Sequence, residues 1–457
     1  MSPVSLAPIS NADQAVAFLM SLVREDPRPY QARARLAQLP VRALLARAGN
    51  PQVSLPVVHI AGSKGKGSTA LYLEAILHSA GLTTGTFTSP HLQRWTERYR
   101  VDGREITAEE FAALFARLQP HVLGLLHQDE ASAPSFFDVL TAAALLLFAD
   151  QGVDCAIIEA GIGGRLDATN VVQPMLSCIT SVELEHTDKL GASIAAIAGE
   201  KAGIIKTEVP VIIGPLPGEA ESVVRHRAAE LGATVSALEQ DIALSTGSGS
   251  GGGLALRVID GKGEYHAELP ATASACNARN AALAIACAHR ICGHDPGSLG
   301  RAVTRALADT RPPGRMEIVA EHPWVVIDGA HTAASARALA EMLQALPAHR
   351  LHLVVSLSVA RDAAAVLAPL LLRAHKVVVT SADPERSLDS HRLAADLAAG
   401  GYPACRLQAM PDPRKAVLET REALAPDDLL CVTGSMYMAG VARETLLAGG
   451  TVPGQES

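Results

Sequence analysis

The residues best suited to chemistry begin with Gly62, Ser63, Lys64, Gly65, Lys66, Gly67 and Ser68, which follow the β-branched run Val57 to Ile60 and precede an apolar-periodic stretch. Strand, glycine-rich loop and helix start, in that order, make a phosphate site. Glycines let backbone N–H groups approach phosphate oxygens, and the amino end of the helix adds partial positive charge. Lys66 then reaches the terminal phosphates and Ser68 offers a hydroxyl to Mg²⁺. The spacing departs from the usual Walker A loop, because Gly67 separates the lysine from the hydroxyl. A bland glycine-rich turn rarely combines all these parts.

Glu159 closes a second apolar run, Cys155 to Glu159, where a parallel strand would end on the same sheet edge as the phosphate loop. A carboxylate there is placed to hold the metal. Gly161, Gly163, Gly164 and the run Arg165-Leu166-Asp167 behind it imply a tight functional loop. In a third segment His186 follows a strand and Lys201 lies on the next helix. Alone, such a histidine is more often structural and such a lysine is more often solvated. Basic-residue usage shifts that balance: only 8 of the 39 basic residues are lysine, yet Lys64, Lys66, Lys201 and Lys206 all fall in these segments. The pattern points to a requirement for primary amines at these places.

These residues need a sheet to position them. Short β-branched runs alternate with alanine- and leucine-rich stretches from about Val57, which is how a parallel sheet with covering helices is written. Strands are expected at Val57 to Ile60, Thr84 to Thr88, Cys155 to Glu159 and Leu176 to Thr180. A second alternating series starts near Trp324, with runs at Val325–Asp328, Leu351–Ser356, Lys376–Ser381, Cys405–Ala409 and Leu429–Ser435. The expected fold is therefore α/β: an amino-terminal phosphate-loop ATPase domain over residues 1–311 and a smaller Rossmann-like domain over 312–457. The boundary is set at the Pro-Pro-Gly of Arg311 to Arg315, where two prolines fix the backbone and a glycine frees it. Ser245 to Gly253 reads as a flexible low-complexity loop beside the runs Leu254–Val258 and Glu264–Pro270, which look like an antiparallel hairpin at the edge of the first domain.

Composition bounds the partners. With 48% hydrophobic and 19% charged residues, the 457-residue chain can bury two or three cores. Its net charge of −8 leaves no basic surplus for a nucleic acid or an anionic membrane. The longest apolar stretch, Val139 to Ala149, is too short to span a bilayer, and the amino terminus lacks a signal-peptide pattern. The seven scattered cysteines are expected to be reduced and mostly in the core. A cytoplasmic monomer acting on small molecules is expected.

The series AGSKGKGS, FTSPHL, EAGIGGRLDATN, EHTDKLG, EKAGIIK, PPGRMEIV, VVIDGAH and VTGSMYMAG resembles the folylpolyglutamate synthase and dihydrofolate synthase family, of the Mur-ligase type. The resemblance runs from about Val57 to Arg443. It implies ATP-dependent addition of L-glutamate to dihydropteroate or folate through an acyl phosphate. By resemblance, Lys66 and the loop glycines hold ATP, and Ser68, Ser89, Glu159 and His186 hold two Mg²⁺ ions. Lys201 matches a lysine carbamylated by CO₂, so Lys66, His186 and Lys201 become the candidate catalytic side chains. Asn280, Arg315, Asp328 and His331 match residues that grip the nucleotide.

The chain departs from the family pattern at Glu185, Thr332, Cys276-Asn277 and the stretch Ser358 to Asp362. Two other readings stay open: a paralogous ligase for another pterin-like or small carboxylate, and a nucleotide-binding regulator that has lost ligation.

Overall fold

The computed structural model describes residues 7–23, 38–128, 133–250, 252–261, 263–271, 273–293, 296–359, 362–383 and 385–447. The chain divides into two compact units, residues 1–91, 95–269 and 277–310 in the first, and 92–94, 270–276 and 311–457 in the second. This differs from a single cut after residue 311, because two short segments from earlier in the chain belong with the second unit.

In the first unit, eight strands form one sheet: β1 (Val57–Ala61), β2 (Thr84–Phe87), β3 (Tyr99–Val101), β4 (Arg104–Glu105), β5 (Cys155–Glu159), β6 (Leu176–Ile179), β7 (Val211–Ile213) and β8 (Val235–Ala237). The order is β4-β3-β2-β5-β1-β6-β7-β8, with β3 and β4 antiparallel at one edge and the rest parallel. A central parallel strand is covered on both faces and needs a continuous apolar run. β1 supplies one: all five of its residues are buried, with only His59 polar. The four strands expected from sequence are present to within a residue at their ends. Helices Ala108–Leu126 and Phe136–Gln151 begin with capping boxes, Thr107 with Glu110 and Ser135 with Asp138. They pack Phe111, Phe115, Val139 and Phe148 into a core shared with Val57, Phe87 and Ile158.

The next three strands, β9 (Ile242–Ser248), β10 (Leu254–Asp260) and β11 (Gly263–Leu269), make a separate antiparallel sheet in the order β11-β10-β9. The expected hairpin is β10 with β11, and β9 adds a third strand to it. Ser245 to Ser248, expected as flexible loop, instead form the end of β9, paired from Ser245↔Arg257 to Ser248↔Leu254. The ladder bonds are made by backbone groups that serine and glycine also carry, so a neighbouring strand overrides their loop preference. Gly251, also in that stretch, lies outside the described residues.

The second unit carries β12 (Glu317–Glu321), β13 (Trp324–Ile327), β14 (Leu351–Val355), β15 (Ala374–Val379), β16 (Leu407–Ala409) and β17 (Leu429–Thr433). Their order is β12-β13-β17-β14-β15-β16, parallel except for β12 on β13. The five expected runs all form strands, although Ala404–Arg406 is a 3₁₀ turn and only Leu407–Ala409 of that run pairs. Helix Ala333–Ala345 packs on Leu353, Val355, Val377 and Cys431, and helix Met436–Leu447 packs on Val325, Ile327, Val354 and Val432. Ala360 and Arg361, in the stretch that departs from the family pattern, lie outside the described residues.

All seven cysteines are free thiols, and Cys155, Cys178, Cys287 and Cys431 are buried. Among the described residues no helix is long and apolar enough to cross a membrane.

Candidate active site

The phosphate loop leaves β1 at Gly62, whose φ of +155° and contact with the Thr180 side chain leave no room for a Cβ. The loop is then stitched to the end of β6. Ser63 N donates to Ser181 O at 2.9 Å, and Lys64 N donates to Ser181 Oγ at 2.8 Å. Thr180 Oγ1 donates to Lys64 O at 2.5 Å, and Glu183 N donates to Ser63 Oγ at 2.9 Å. Gly65 turns the chain into helix Lys66–Ser79 with φ +84°, and the Asn280 side chain fills the space a Cβ would need. No side chain caps that helix at Gly65. Its first-turn N–H groups are therefore available to an anion.

Lys66 Nζ donates to Gly62 O at 2.9 Å and lies 3.9 Å from Glu159 Oε1. Glu159, only 4% exposed at the end of β5, accepts the Ser89 backbone N–H at 2.9 Å through Oε2. The same oxygen lies 3.3 Å from where a Cβ on Gly67 would stand. Lys66, Gly67, Ser89 and Glu159 thus converge, with buried Ser68 one residue further along the helix. Parallel strand ends meeting at one sheet edge achieve this, since β5 and β6 flank β1.

Lys201, on helix Ile194–Ala202, is 1% exposed, and its Nζ donates to Glu185 Oε1 at 3.0 Å. Burial, reinforced by the Lys66 ammonium and opposed by Glu185, brings the Lys201 pKa down to about 8. Burial acts to raise Glu185, but the ammonium groups of Lys201 and Lys66 outweigh it and hold the carboxyl below its usual range. His186 follows in left-handed backbone, φ +47°, at the N-cap position of the short helix Thr187–Leu190, with no capping bond from its side chain.

Among the described residues no group of three or more His, Cys, Asp or Glu converges in a way that could hold a metal ion. The donor set still fits Mg²⁺: one buried carboxylate and nearby hydroxyls are hard oxygen ligands, and Mg²⁺ usually completes its shell with water and substrate phosphates.

In the second unit, Asp328 follows β13 and accepts from Met316 N at 2.8 Å and Ala330 N at 2.7 Å. His331 Nδ1 lies 2.9 Å from Gly329 O, and the Arg315 guanidinium contacts Met436 Sδ. These three candidates form one neighbourhood around Gly329, where a Cβ would meet both Met436 and Arg315.

Sequence reasoning missed Thr180 and Ser181 as latches of the phosphate loop and Glu185 as the partner of Lys201. The adjacent hydroxyls at the end of the expected strand Leu176 to Thr180 were the available signal for the first. For Glu185 only its place beside His186 could have served.

The Mur ligase middle domain family matches residues 60–288, and the Mur ligase, glutamate ligase domain family matches residues 314–436. The dihydrofolate synthase/folylpolyglutamate synthase of Bacillus subtilis strain 168 is 34% identical over 412 residues, covering 89% of this chain and 94% of the relative. The enzyme of the same name from Mycobacterium tuberculosis H37Rv is 36% identical over 437 residues, covering 88% of each chain. Mycobacterium tuberculosis folylpolyglutamate synthase complexed with ADP superposes with a TM-score of 0.86 at 32% identity, covering 95% of this chain and 98% of that one. E. coli FolC in complex with DHPP and ADP gives 0.83 at 28% identity, covering 97% and 100%. Motif order, fold and near full-length likeness agree, and the chain belongs to the folylpolyglutamate synthase and dihydrofolate synthase family of Mur ligases.

Proposed function

We propose that this ATP-dependent ligase adds L-glutamate to the carboxylate of dihydropteroate, of a folate, or of both, with release of ADP and phosphate. The observation that carries the reading is the convergence of the uncapped helix end, Lys66 and Glu159 at one sheet edge. A carboxylate acylates poorly because its leaving group would be oxide, so it is first converted to an acyl phosphate by the γ-phosphoryl of ATP. The loop N–H groups and Lys66 screen the charge that spreads over the transferring group. The glutamate amine then attacks the acyl carbon, a tetrahedral intermediate collapses, and phosphate leaves. No side-chain nucleophile is required.

Glu159, Ser68, Ser89 and His186 are the residues proposed to hold Mg²⁺ against the phosphates, where it supplies Lewis-acid charge neutralisation. Lys201 is proposed to be carbamylated: its pKa of about 8 leaves part of the amine neutral, as reaction with CO₂ requires, at and just below that pH. Asn280 in the first unit and Arg315, Asp328 and His331 in the second accompany them as nucleotide-binding candidates. The proposed division is an ATP-binding part over 1–311 and a ligase part over 312–457. A cytoplasmic monomer is the accompanying proposal, supported by seven free thiols, which suit a reducing compartment, and by an acidic net charge, which suits neither nucleic acid nor membrane.

The test is product mass after incubation of the purified protein with ATP, glutamate and a panel of pterin and folate acceptors, beside Lys66→Ala. A gain of one glutamyl residue on dihydropteroate or a folate, absent in the variant, supports the reading. Glutamylation of only an unrelated carboxylate would move the chain to the paralogue reading.

A further inference from the structure

One fully buried titratable side chain takes no part in the mechanism above. His59 sits at the centre of β1, register-paired with Ile158 of β5 and Ser177 of β6, and its Nε2 lies 2.9 Å from Thr169 Oγ1. Thr169 Oγ1 donates to Asp167 Oδ1 at 2.5 Å, and Thr169 N donates to the same oxygen at 3.0 Å. The other oxygen, Oδ2, accepts from Gly161 N and Ile162 N, each at 3.1 Å. All four contacts use Asp167 as an acceptor.

The proton positions follow by elimination. A hydroxyl has one hydrogen, and with Asp167 ionised, the form its three backbone N–H donors favour against burial, that of Thr169 is committed to Asp167, so at the His59 contact the imidazole is the donor. His59 therefore carries its proton on Nε2. Its Nδ1 is then a bare acceptor, and that atom is the one buried without a hydrogen-bond partner. Burial, with Lys206 adding to it, holds the His59 pKa down to about 3, so the ring is neutral at working pH.

The relay joins two functional segments. One end is on the strand that feeds the phosphate loop at Gly62. The other grips the N–H groups two and three residues past Glu159, in a turn where a Cβ on Gly161 would meet Phe137 and Asp167.

We propose that His59 is a positioning residue of the ligation reaction, acting through Thr169 and Asp167 to fix the exit of β5 and so the aim of the Glu159 carboxylate. The assignment rests on Glu159 serving the phosphate and metal site. A histidine that only filled space would tolerate leucine. A donor in a relay tolerates only another donor of similar reach.

The test compares His59→Leu and Thr169→Val, which cut the relay at either side of one hydrogen bond, with His59→Gln and Thr169→Ser, which keep a donor and a hydroxyl. Steady-state kcat and KM are measured with Mg²⁺ titration, and Mg²⁺-dependent binding of a non-hydrolysable ATP analogue is followed by calorimetry. Residues that orient a metal-site ligand typically matter by about 10- to 100-fold. His59→Leu and Thr169→Val should each lose that much in kcat, with weaker Mg²⁺-dependent analogue binding and a nearly unchanged KM for the folate acceptor. Thr169→Ser and His59→Gln should return most of the loss, and the double variant His59→Leu/Thr169→Val should be no worse than the poorer single one.

Folded His59→Leu and Thr169→Val proteins with normal kcat and analogue binding overturn the proposal, as do fully additive losses. Should His59→Leu fail to fold, the Thr169 pair decides alone. Glu159→Gln run in parallel separates the levels. If it is silent, the reading of the site fails and this proposal falls with it. If it is damaging while the relay variants are silent, only the proposal fails.

Discussion

Glu185→Gln removes the carboxylate from a buried ion pair, and the cost can be bounded from the structure. Lys201 falls from a free-lysine pKa of 10.5 to about 8, so holding it protonated in the folded state already costs about 3 kcal/mol. Losing Glu185 makes the ammonium more costly still, but the lysine escapes by giving up its proton. At pH 7, about one unit below that pKa, deprotonation costs the folded lysine only about 1 kcal/mol, so its charge contributes at most about that much to the destabilisation. The ceiling rises to about 3 kcal/mol at pH 6 and vanishes above about pH 8, where the folded wild type already holds the neutral amine.

The sign agrees with linkage. With the folded pKa depressed, the unfolded chain binds the extra proton between about pH 8 and 10.5, so wild-type stability is fully present above that window and is lost as pH falls through it. The assay is urea unfolding in CO₂-free buffer at pH 6, 7 and 9. The two tryptophans fall one in each unit, so a Trp324→Phe background leaves Trp95 to report on the first unit alone. A destabilisation that grows as pH falls is expected. A difference independent of pH, or one present at pH 9 and absent at pH 6, would refute the reasoning.

Other outcomes follow from the same site. Lys201→Arg should be as damaging to turnover as Lys201→Ala, because guanidinium cannot form a carbamate, and formate or acetate should partly rescue only the alanine variant. An active arginine variant in steady-state assays would remove the carbamate from the proposal. Gly65→Ala should weaken ADP binding measured by calorimetry, since left-handed backbone costs a non-glycine residue about 1–2 kcal/mol and Asn280 occupies the new methyl's space; unchanged affinity would mean that the loop adapts freely. Glu159→Gln should raise the Mg²⁺ concentration giving half-maximal rate, and an unchanged Mg²⁺ titration would confine Glu159 to structure.

The legible parts of this molecule are those in which neighbours in sequence are neighbours in space. A β-branched run, glycines and a lysine name the phosphate loop because strand, turn and helix are contiguous there. Glu159 was legible for a similar reason: a parallel strand ends where its apolar run ends. Glu185 was noted only as a departure, since its partner lies sixteen residues away across a loop and helix. His59 reads as one polar letter in an apolar strand until Thr169, 110 residues later, is seen to face it. Ser245 to Ser248 show the opposite failure, where local composition was informative about the segment but the pairing strand decided its state.

The stitching of the phosphate loop to the end of β6 has a calorimetric consequence. A loop whose backbone is already held by Thr180 and Ser181, with the Ser63 side chain tied to Glu183, has surrendered its conformational entropy during folding, at about 1–2 kcal/mol per residue fixed. A nucleotide therefore meets a rigid receptor and does not have to organise one. Its association with the first unit should show a small heat-capacity change and a rate set by diffusion and charge rather than by loop rearrangement.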